Sequence, residues 1–376
     1  MKIRRVTPSD LKLGMLLPWN VYGANGALLV RKGHLIASAN QIEYLVERGS
    51  FEDDSAVLAK EREPVSVLRT LNLVHLRLQD LLQAIAIRSA PADAVRQLED
   101  LGVMVDQMVA LHPDVAVACV LHNQQAAPYA VRHSVDTAVV AQLAARAQKL
   151  PAPQRMVLTL AALTMNVGML EQHERLHVAS AALCATEQAR LRDHPALGVT
   201  LLQAAGVTDA DWLQAVRYHH ENEDGSGYPD GKAGGHIPLA SKLIALADRY
   251  CARVSERRYR KPMLPNAALR EILLERQTID GQLAAVLIRE LGIYPVGTYV
   301  RLQNGEIGVV SRKGLQTTAP HVEAIIGPRG APLEVFLQRD TKSELNSIRD
   351  VLSPAQVGAM RPPLRMEQVW GRAAAA

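Results

Sequence analysis

His-His-Glu-Asn-Glu-Asp-Gly-Ser-Gly-Tyr-Pro, residues 219–229, is the stretch that decides the fold. Adjacent residues on a helix point about 100° apart, so His219 and His220 can converge on one site only where a helix ends. Gly225 and Gly227 begin a turn directly after them. Imidazole together with carboxylate suits zinc, iron or manganese. The stretch therefore indicates a metal site at a helix end, with ordinary core or surface histidines as the alternative.

The composition predicts a folded, largely helical protein. Of the 376 residues, 48% are hydrophobic, which supports a large core and excludes wholesale disorder. Phe is scarce (2) while Ala and Leu are abundant, which favours helices packed through aliphatic side chains. The formal net charge is a mild +4, and the basic residues are scattered apart from a run at 257–261. We therefore expect no binding of a nucleic-acid polymer.

The cysteines and the hydropathy pattern predict a cytoplasmic protein. Cys119, Cys184 and Cys251 are odd in number and have no CxxC spacing, which suits a reducing compartment. The N-terminus has no apolar signal-peptide region, and no apolar stretch reaches the roughly 18 residues that span a bilayer. We therefore expect no membrane association.

The first part of the chain predicts a small α+β unit at residues 1–60. Strand patterns at 16–22 and 27–30 flank Asn25-Gly26, a turn pair that tolerates positive φ. Residues 38–48 predict a short helix with Ser38 as its N-cap. A leucine-rich helical connecting region follows at 61–125, interrupted at Pro91. Its apolar stripe predicts core packing, and the alternative is a dimerisation or signal-transmitting helix.

The remainder predicts a helical domain at 126–292, with a long loop at 222–237. A small β extension follows at 293–352, because strand patterns flank the turn Asn304-Gly305 and recur at 321–326 and 333–337. Residues 353–376 lack periodicity and predict an irregular tail with a frayed alanine end.

The chain resembles the HD-GYP family, metal-dependent phosphodiesterases that hydrolyse the bacterial second messenger cyclic di-GMP. The similarity covers roughly 126–312 and is most specific at 219–231. It implies a mainly α fold, an HD-type helical domain with a small β-containing N-terminal unit and a small β C-terminal extension. The residues that match the family's metal ligands are His133, His194, His219, His220 and Asp248.

The resemblance also implies a ligand-binding face. Gly227, Tyr228 and Pro229 match the family loop that frames the site and takes part in protein contacts. The residues that match the family's phosphate-contacting basic side chains are Arg257, Arg260 and Lys261. We therefore expect cyclic di-GMP or a related dinucleotide as ligand, with a protein partner at the loop and a homodimer as further expectations.

The chain differs from the family at positions that take part in metal binding and catalysis. Met165, Asn166 and Met169 occupy the positions of the name-giving His-Asp pair and of a lysine. In the family that aspartate bridges two metals, whereas a neutral Asn oxygen supplies no negative charge to hold two dications about 3.5–4 Å apart. Met thioether is a soft ligand, and a missing lysine removes a cation that stabilises phosphate charge. A further family aspartate is Cys251 here.

The sequence therefore predicts a degenerate, catalytically impaired signalling module that acts by binding a ligand or a protein. His194, His219 and His220 could still hold one metal, zinc, iron or manganese, and the alternative is a vestigial pocket with none. The rival function is a phosphodiesterase with a modified metal site, in which Asp136 or Glu171 supplies the missing acid. A purely structural scaffold is the third reading.

Overall fold

The chain divides into two compact units, Met1–Val65 and Ser66–Ala376. In this computed structural model the described residues are 2–13, 15, 17, 19–24, 26–53, 65–178, 184–256 and 261–376.

The first unit pairs a small antiparallel sheet with one helix. The strands β1 (Lys2–Arg5), β2 (Val21–Tyr22), β3 (Leu28–Val30) and β4 (Ser50–Asp53) lie in the order β1-β4-β2-β3. Helix α1 (Ala39–Arg48) begins where the Ser38 side chain accepts a hydrogen bond from the Gln41 backbone N–H. The predicted helix and α+β character are confirmed, although Leu16 and Asn25 lie outside the described residues.

The second unit is built mainly from helices. They are α2 (Val67–Ala86), α3 (Ala94–Leu111), α4 (Pro113–His122), α5 (Tyr129–Ala147), α6 (Ala152–Thr164), α7 (Leu170–Val178), α8 (Ala185–Ala204), α9 (Ala210–Arg217), α10 (Leu239–Val254), α11 (Pro265–Leu274) and α12 (Gly281–Leu291). A 3₁₀ turn, Val167–Met169, joins α6 to α7. One hydrophobic core runs from Val67 in α2 to Ala374 near the C-terminus. The finer division of this unit into connecting region, helical domain and β extension stays a prediction.

Helix α5 lies at the centre of this unit. Every residue from Tyr129 to Ala145 is buried, because α6, α10 and neighbouring helices cover it on all sides. A helix that is apolar around most of its circumference belongs in a core, and the many Ala and Val side chains of α5 let its neighbours approach closely. Polar residues on α5, such as His133 and Asp136, are consequently held inside the protein.

The C-terminal region contains a five-stranded antiparallel sheet. The strands β5 (Tyr299–Leu302), β6 (Ile307–Arg312), β7 (His321–Ile326), β8 (Pro332–Asp340) and β9 (Ile348–Leu352) lie in the order β8-β7-β6-β5-β9. The predicted β5–β6 hairpin is confirmed, and Gly305 in its turn has φ +87°. The mainly α fold class with two small sheets is therefore confirmed.

The prediction of a frayed tail was wrong. Residues 353–376 include the short helices α13 (Pro354–Gly358) and α14 (Glu367–Trp370), and Ala374 is only 1% exposed. The Ser66 hydroxyl donates to the Ala375 carbonyl at 2.5 Å, and Trp370 Nε1 donates to the Ser311 carbonyl at 2.8 Å. Tertiary contacts hold these short segments, so they leave no periodic signal in the sequence.

Among the described residues, no single helix has both the length and the apolar character needed to cross a membrane. Helices α3 and α4 meet at 112° and pass that test only as a bent pair. Both contribute side chains to the hydrophobic core, as core helices of this composition do.

Candidate metal centre

Three histidines converge where α9 ends against α8. His194 lies on α8, and His219 and His220 follow the last residue of α9, Arg217. One ring nitrogen from each of the three lies within 4.8 Å of the others, and His194 Nε2 is 3.3 Å from His219 Nε2. We call these residues the histidine triad. It is the one such group of metal-ligand side chains found among the described residues.

Backbone carbonyls fix the tautomers of two triad members. His194 Nδ1 lies 2.6 Å from the Leu191 carbonyl, and His219 Nδ1 lies 2.6 Å from the Val216 carbonyl. Because a carbonyl oxygen only accepts, each Nδ1 must carry a proton and donate it. In the neutral imidazoles, both Nε2 atoms then present lone pairs to each other at 3.3 Å. This outer-shell arrangement is the one that orients metal-binding histidines.

Burial keeps the triad neutral. Burial and, to a smaller extent, the adjacent His219 lower the pKa of His194 to about 3. Burial likewise lowers the pKa of His219, and it lowers that of His220 well below the usual value. Neutral imidazole is the form that binds metal ions, so at neutral pH the triad is in the state required of a ligand set.

The other two predicted ligands pair with each other. His133 Nε2 on α5 lies 2.5 Å from Asp248 Oδ1 on α10. Burial alone would raise the pKa of Asp248. The hydrogen bond from His133 and the nearby imidazoles outweigh burial and hold that pKa below its usual range. Asp248 acts electrostatically on all three triad histidines, so an ionised carboxylate lies beside the triad.

The segment with the altered residues lies against the triad. Met165, Asn166 and Met169 are buried at the end of α6 and in the following 3₁₀ turn. Gly168 touches the backbone of α8 so closely that a Cβ there would lie 2.8 Å from the Gly198 nitrogen and nearer still to the His194 carbonyl oxygen. The segment is therefore fixed beside a triad ligand, and none of its three altered side chains is a carboxylate or a cation.

Comparison with known proteins identifies this helical region. Residues 104–283 match the family model described as HD domain. This region is similar to HD domains. The chain is 29% identical over 231 residues to cyclic di-GMP phosphodiesterase PA4108 from Pseudomonas aeruginosa, covering 61% of this chain and 56% of that protein. It is 31% identical over 153 residues to the cyclic di-GMP phosphodiesterase response regulator RpfG from Xanthomonas campestris, covering 40% of each.

The chain spans about half the length of these curated relatives. Among solved structures, Bd1817, described as an HDG"Y"P protein from Bdellovibrio bacteriovorus, aligns with a TM-score of 0.51. That alignment covers 76% of this chain and 98% of the other at 14% identity, so it supports the fold alone. The family resemblance inferred from the sequence is confirmed.

The Gly-Tyr-Pro loop, residues 227–229, lies against one side of the histidine triad. The Tyr228 ring stacks on the His220 ring with centroids 4.7 Å apart and planes at 26°. Buried Glu221 shapes the loop, because its carboxylate accepts hydrogen bonds from the backbone N–H groups of Asp230 (2.8 Å) and Lys232 (2.9 Å). A Cβ on Gly227 would lie 2.5 Å from backbone atoms of residues 220–222, so only glycine fits there.

The remaining predicted residues are not brought into the triad. Asp136 is buried one turn along α5 from His133, and exposed Glu171 lines a surface groove beside Met169. Lys261 is exposed, while Arg257 and Arg260 lie outside the described residues.

Sequence reasoning missed an aromatic cluster around His133. The Tyr129 ring stacks on the His177 ring at 4.3 Å, and the His173 ring meets the His133 ring edge-on at 5.3 Å. His173 and His177 are four residues apart on α7, which places both on one helix face. The four-residue spacing of these two histidines was the one sequence signal that could have predicted the cluster.

Asp136 is a buried acid with an incomplete set of hydrogen bonds. Within the described part of the chain, its Oδ2 atom has no hydrogen-bond partner. Burial raises the pKa of Asp136 from 3.8 to about 7, against the opposing effect of the Arg132 charge. The buried thiols of Cys119 and Cys251 face the same carboxyl group, and burial raises the pKa of each.

We expect Asp136 to make stability depend on pH. The folded state keeps a proton that the unfolded state releases, so the contribution of Asp136 is complete below its unfolded pKa of 3.8 and is lost as the pH rises through about 7. Between pH 5 and pH 8 this should remove about 2–3 kcal/mol of unfolding free energy. Urea unfolding of Asp136→Asn should show a flatter pH profile than wild type. Exposed Asp100→Asn on α3 is the control, and parallel profiles for Asp136→Asn and wild type would contradict the expectation.

Proposed function

We propose that this HD domain binds cyclic di-GMP or a closely related cyclic dinucleotide as a signalling module with impaired hydrolysis. The proposal depends on one observation: the site keeps a set of metal-binding histidines but lacks the charged residues expected beside them. The histidine triad presents oriented, neutral nitrogens, while the segment beside it carries Met165, Asn166 and Met169. The ligand class is supported by two relatives named as cyclic di-GMP phosphodiesterases.

The donors of the triad fit one transition-metal ion. Three neutral imidazoles suit zinc, and iron or manganese bind the same donor type. Such an ion would supply Lewis acidity toward a phosphate oxygen. The Leu191 and Val216 carbonyls hold the His194 and His219 rings in the required tautomer. The Tyr228 ring stacks on the His220 ring.

Hydrolysis should be impaired because the site lacks an anionic bridge and a cation. Asn166 stands where an aspartate would join two metals, and its amide oxygen carries no formal charge. Asp248 is already hydrogen-bonded to His133. Met169 is buried and apolar, so no ammonium group reaches the phosphate from this position. Loss of one such charge stabiliser costs about 10²–10³ in rate.

The second candidate is a phosphodiesterase with a modified metal site. The His133–Asp248 pair favours it, because an ionised carboxylate lies within electrostatic reach of all three triad members. Under either function, we assign ligand contact to the Gly227–Tyr228–Pro229 loop and to Arg257, Arg260 and Lys261. A protein partner at the loop and a homodimer also remain proposals.

The proposed function is tested by metal content and turnover measured on one sample. Protein purified without chelators should contain at most one equivalent of metal, bind cyclic di-GMP in calorimetry, and show no turnover in excess manganese or iron. His194→Ala and His219→Ala should each remove the metal, whereas His236→Ala, an exposed histidine after the same loop, should leave it in place. Two equivalents of metal with clear turnover would contradict the impaired site and favour the second candidate.

A further inference from the structure

An exposed arginine extends the histidine triad outward. The Arg192 guanidinium carbon lies 5.6 Å from the centroid of the Tyr228 ring, and that ring stacks on His220. Arg192 precedes the triad member His194 by two residues on α8. The result is a column of guanidinium, phenol ring and imidazole that leads from solvent to the proposed metal ligands.

Arg192 differs from Arg217, Arg249 and Arg253 in having no acidic partner among the described residues. Arg217 is paired with Asp230 at 2.7 Å, and Arg249 is paired with Glu275 at 3.8 Å. Arg253 is paired with Glu275. For Arg192, the described residues provide no carboxylate within ion-pair distance and no hydrogen-bond acceptor, only the Tyr228 ring face. Its N–H groups are therefore available to an external anion.

The contact with Tyr228 leaves guanidinium N–H groups of Arg192 exposed. Arg192 is an exposed residue, and its guanidinium carbon is 5.6 Å from the ring centroid, so the ring does not enclose the N–H groups. Guanidinium N–H groups bind phosphate in a bidentate manner, and the contact with Tyr228 reduces the side-chain entropy lost on binding. A phosphate group near the triad would thus meet an oriented cation.

We propose that Arg192 binds a phosphate group of the cyclic dinucleotide and supplies the positive charge that Met169 does not. This inference rests on the proposed function. It assigns phosphate recognition to α8 and to the outer face of the Gly-Tyr-Pro loop. Arg192 is separate in the sequence from 257–261, where the family resemblance puts the basic residues.

The test compares cyclic di-GMP binding among metal-loaded variants of the full chain. Calorimetry should show affinity weakened about 10- to 100-fold in Arg192→Gln, because a hydrogen-bonded charge contact of this kind is lost. Arg192→Lys keeps the positive charge but loses the bidentate geometry of the guanidinium. Its affinity should lie between those of Arg192→Gln and wild type. Arg190→Gln, which alters another exposed arginine on the same helix, should bind like wild type.

Metal content separates phosphate binding from support of the loop. If Arg192 acts on the ligand, all four proteins retain the same metal content and only affinity changes. If Arg192→Gln binds cyclic di-GMP with wild-type affinity, this inference is overturned and the proposed function is not affected. Equal losses in the Gln and Lys variants, accompanied by loss of metal, would also overturn it, because Arg192 would then only support Tyr228. Failure of the wild-type protein to bind cyclic di-GMP would overturn the proposed function and, with it, this inference.

Discussion

Replacing Met165 with His, Asn166 with Asp and Met169 with Lys in one variant is expected to raise turnover of cyclic di-GMP by at least about 100-fold. The three positions lie against α8, because Gly168 contacts the His194 backbone. A carboxylate at 166 would supply the negative charge that two metal ions require, and an ammonium group at 169 would face the phosphate. Turnover in excess manganese and metal content by mass spectrometry are the two measurements.

The single changes act as controls for this triple variant. Asn166→Asp alone should raise metal content from one equivalent toward two, whereas Met169→Lys alone should leave it unchanged. Adding His219→Ala to the triple variant should abolish the gain, since the proposed chemistry depends on the histidine triad. A triple variant that folds, holds two equivalents and still shows no turnover would mean that other features of the site prevent hydrolysis.

Gly168→Ala is expected to reduce the unfolding free energy by about 3 kcal/mol or more and to weaken metal binding. The new Cβ would lie 2.8 Å from the Gly198 nitrogen and closer to the His194 carbonyl oxygen. Both are backbone atoms, so neither can rotate away as a side-chain end could. The 3₁₀ turn or helix α8 must therefore shift, and that shift moves His194 relative to His219.

Gly198→Ala is the matched control, because Gly198 lies on the other side of the same contact. Its added Cβ would meet its nearest neighbours at 3.5–3.7 Å, which is ordinary van der Waals contact. Since Gly198 lies inside α8, alanine there should be neutral or stabilising by about 1 kcal/mol. Urea unfolding and metal titration of both variants provide the comparison. Similar stability of the two would show that the 3₁₀ turn adjusts without cost.

Local signals in the sequence were sufficient for several elements. Ser38 predicted the start of α1, and Asn304-Gly305 predicted the β5–β6 hairpin, because capping and turn geometry depend on neighbouring residues. His219 and His220 predicted a site at a helix end for the same reason. The family resemblance was needed to add His194, which is distant in sequence, to that pair.

Contacts between residues far apart in the chain could not be predicted from the sequence. The resemblance predicted His133 and Asp248 as metal ligands on the same side of the site, and their role as ligands stays a prediction. Their 2.5 Å contact with each other depends on the packing of α5 against α10. The docking of the C-terminal tail depends on Ser66, far away in the chain. Arg192 carried no motif of its own, and its position over Tyr228 follows only from the path of the loop.

The burial of residues 129–145 gives the second unit an internal reporter of ligand binding. Backbone amides between Tyr129 and Ala145 have no exposed side from which a local opening could begin, so their deuterium exchange follows opening of the whole second unit. A ligand that binds only the folded state lowers the population of the globally open state by the factor 1 + L/Kd, where L is the free ligand concentration. The change in exchange rate along this one helix when a metal or dinucleotide is added would therefore give the free energy of binding. The measurement needs no label near the site.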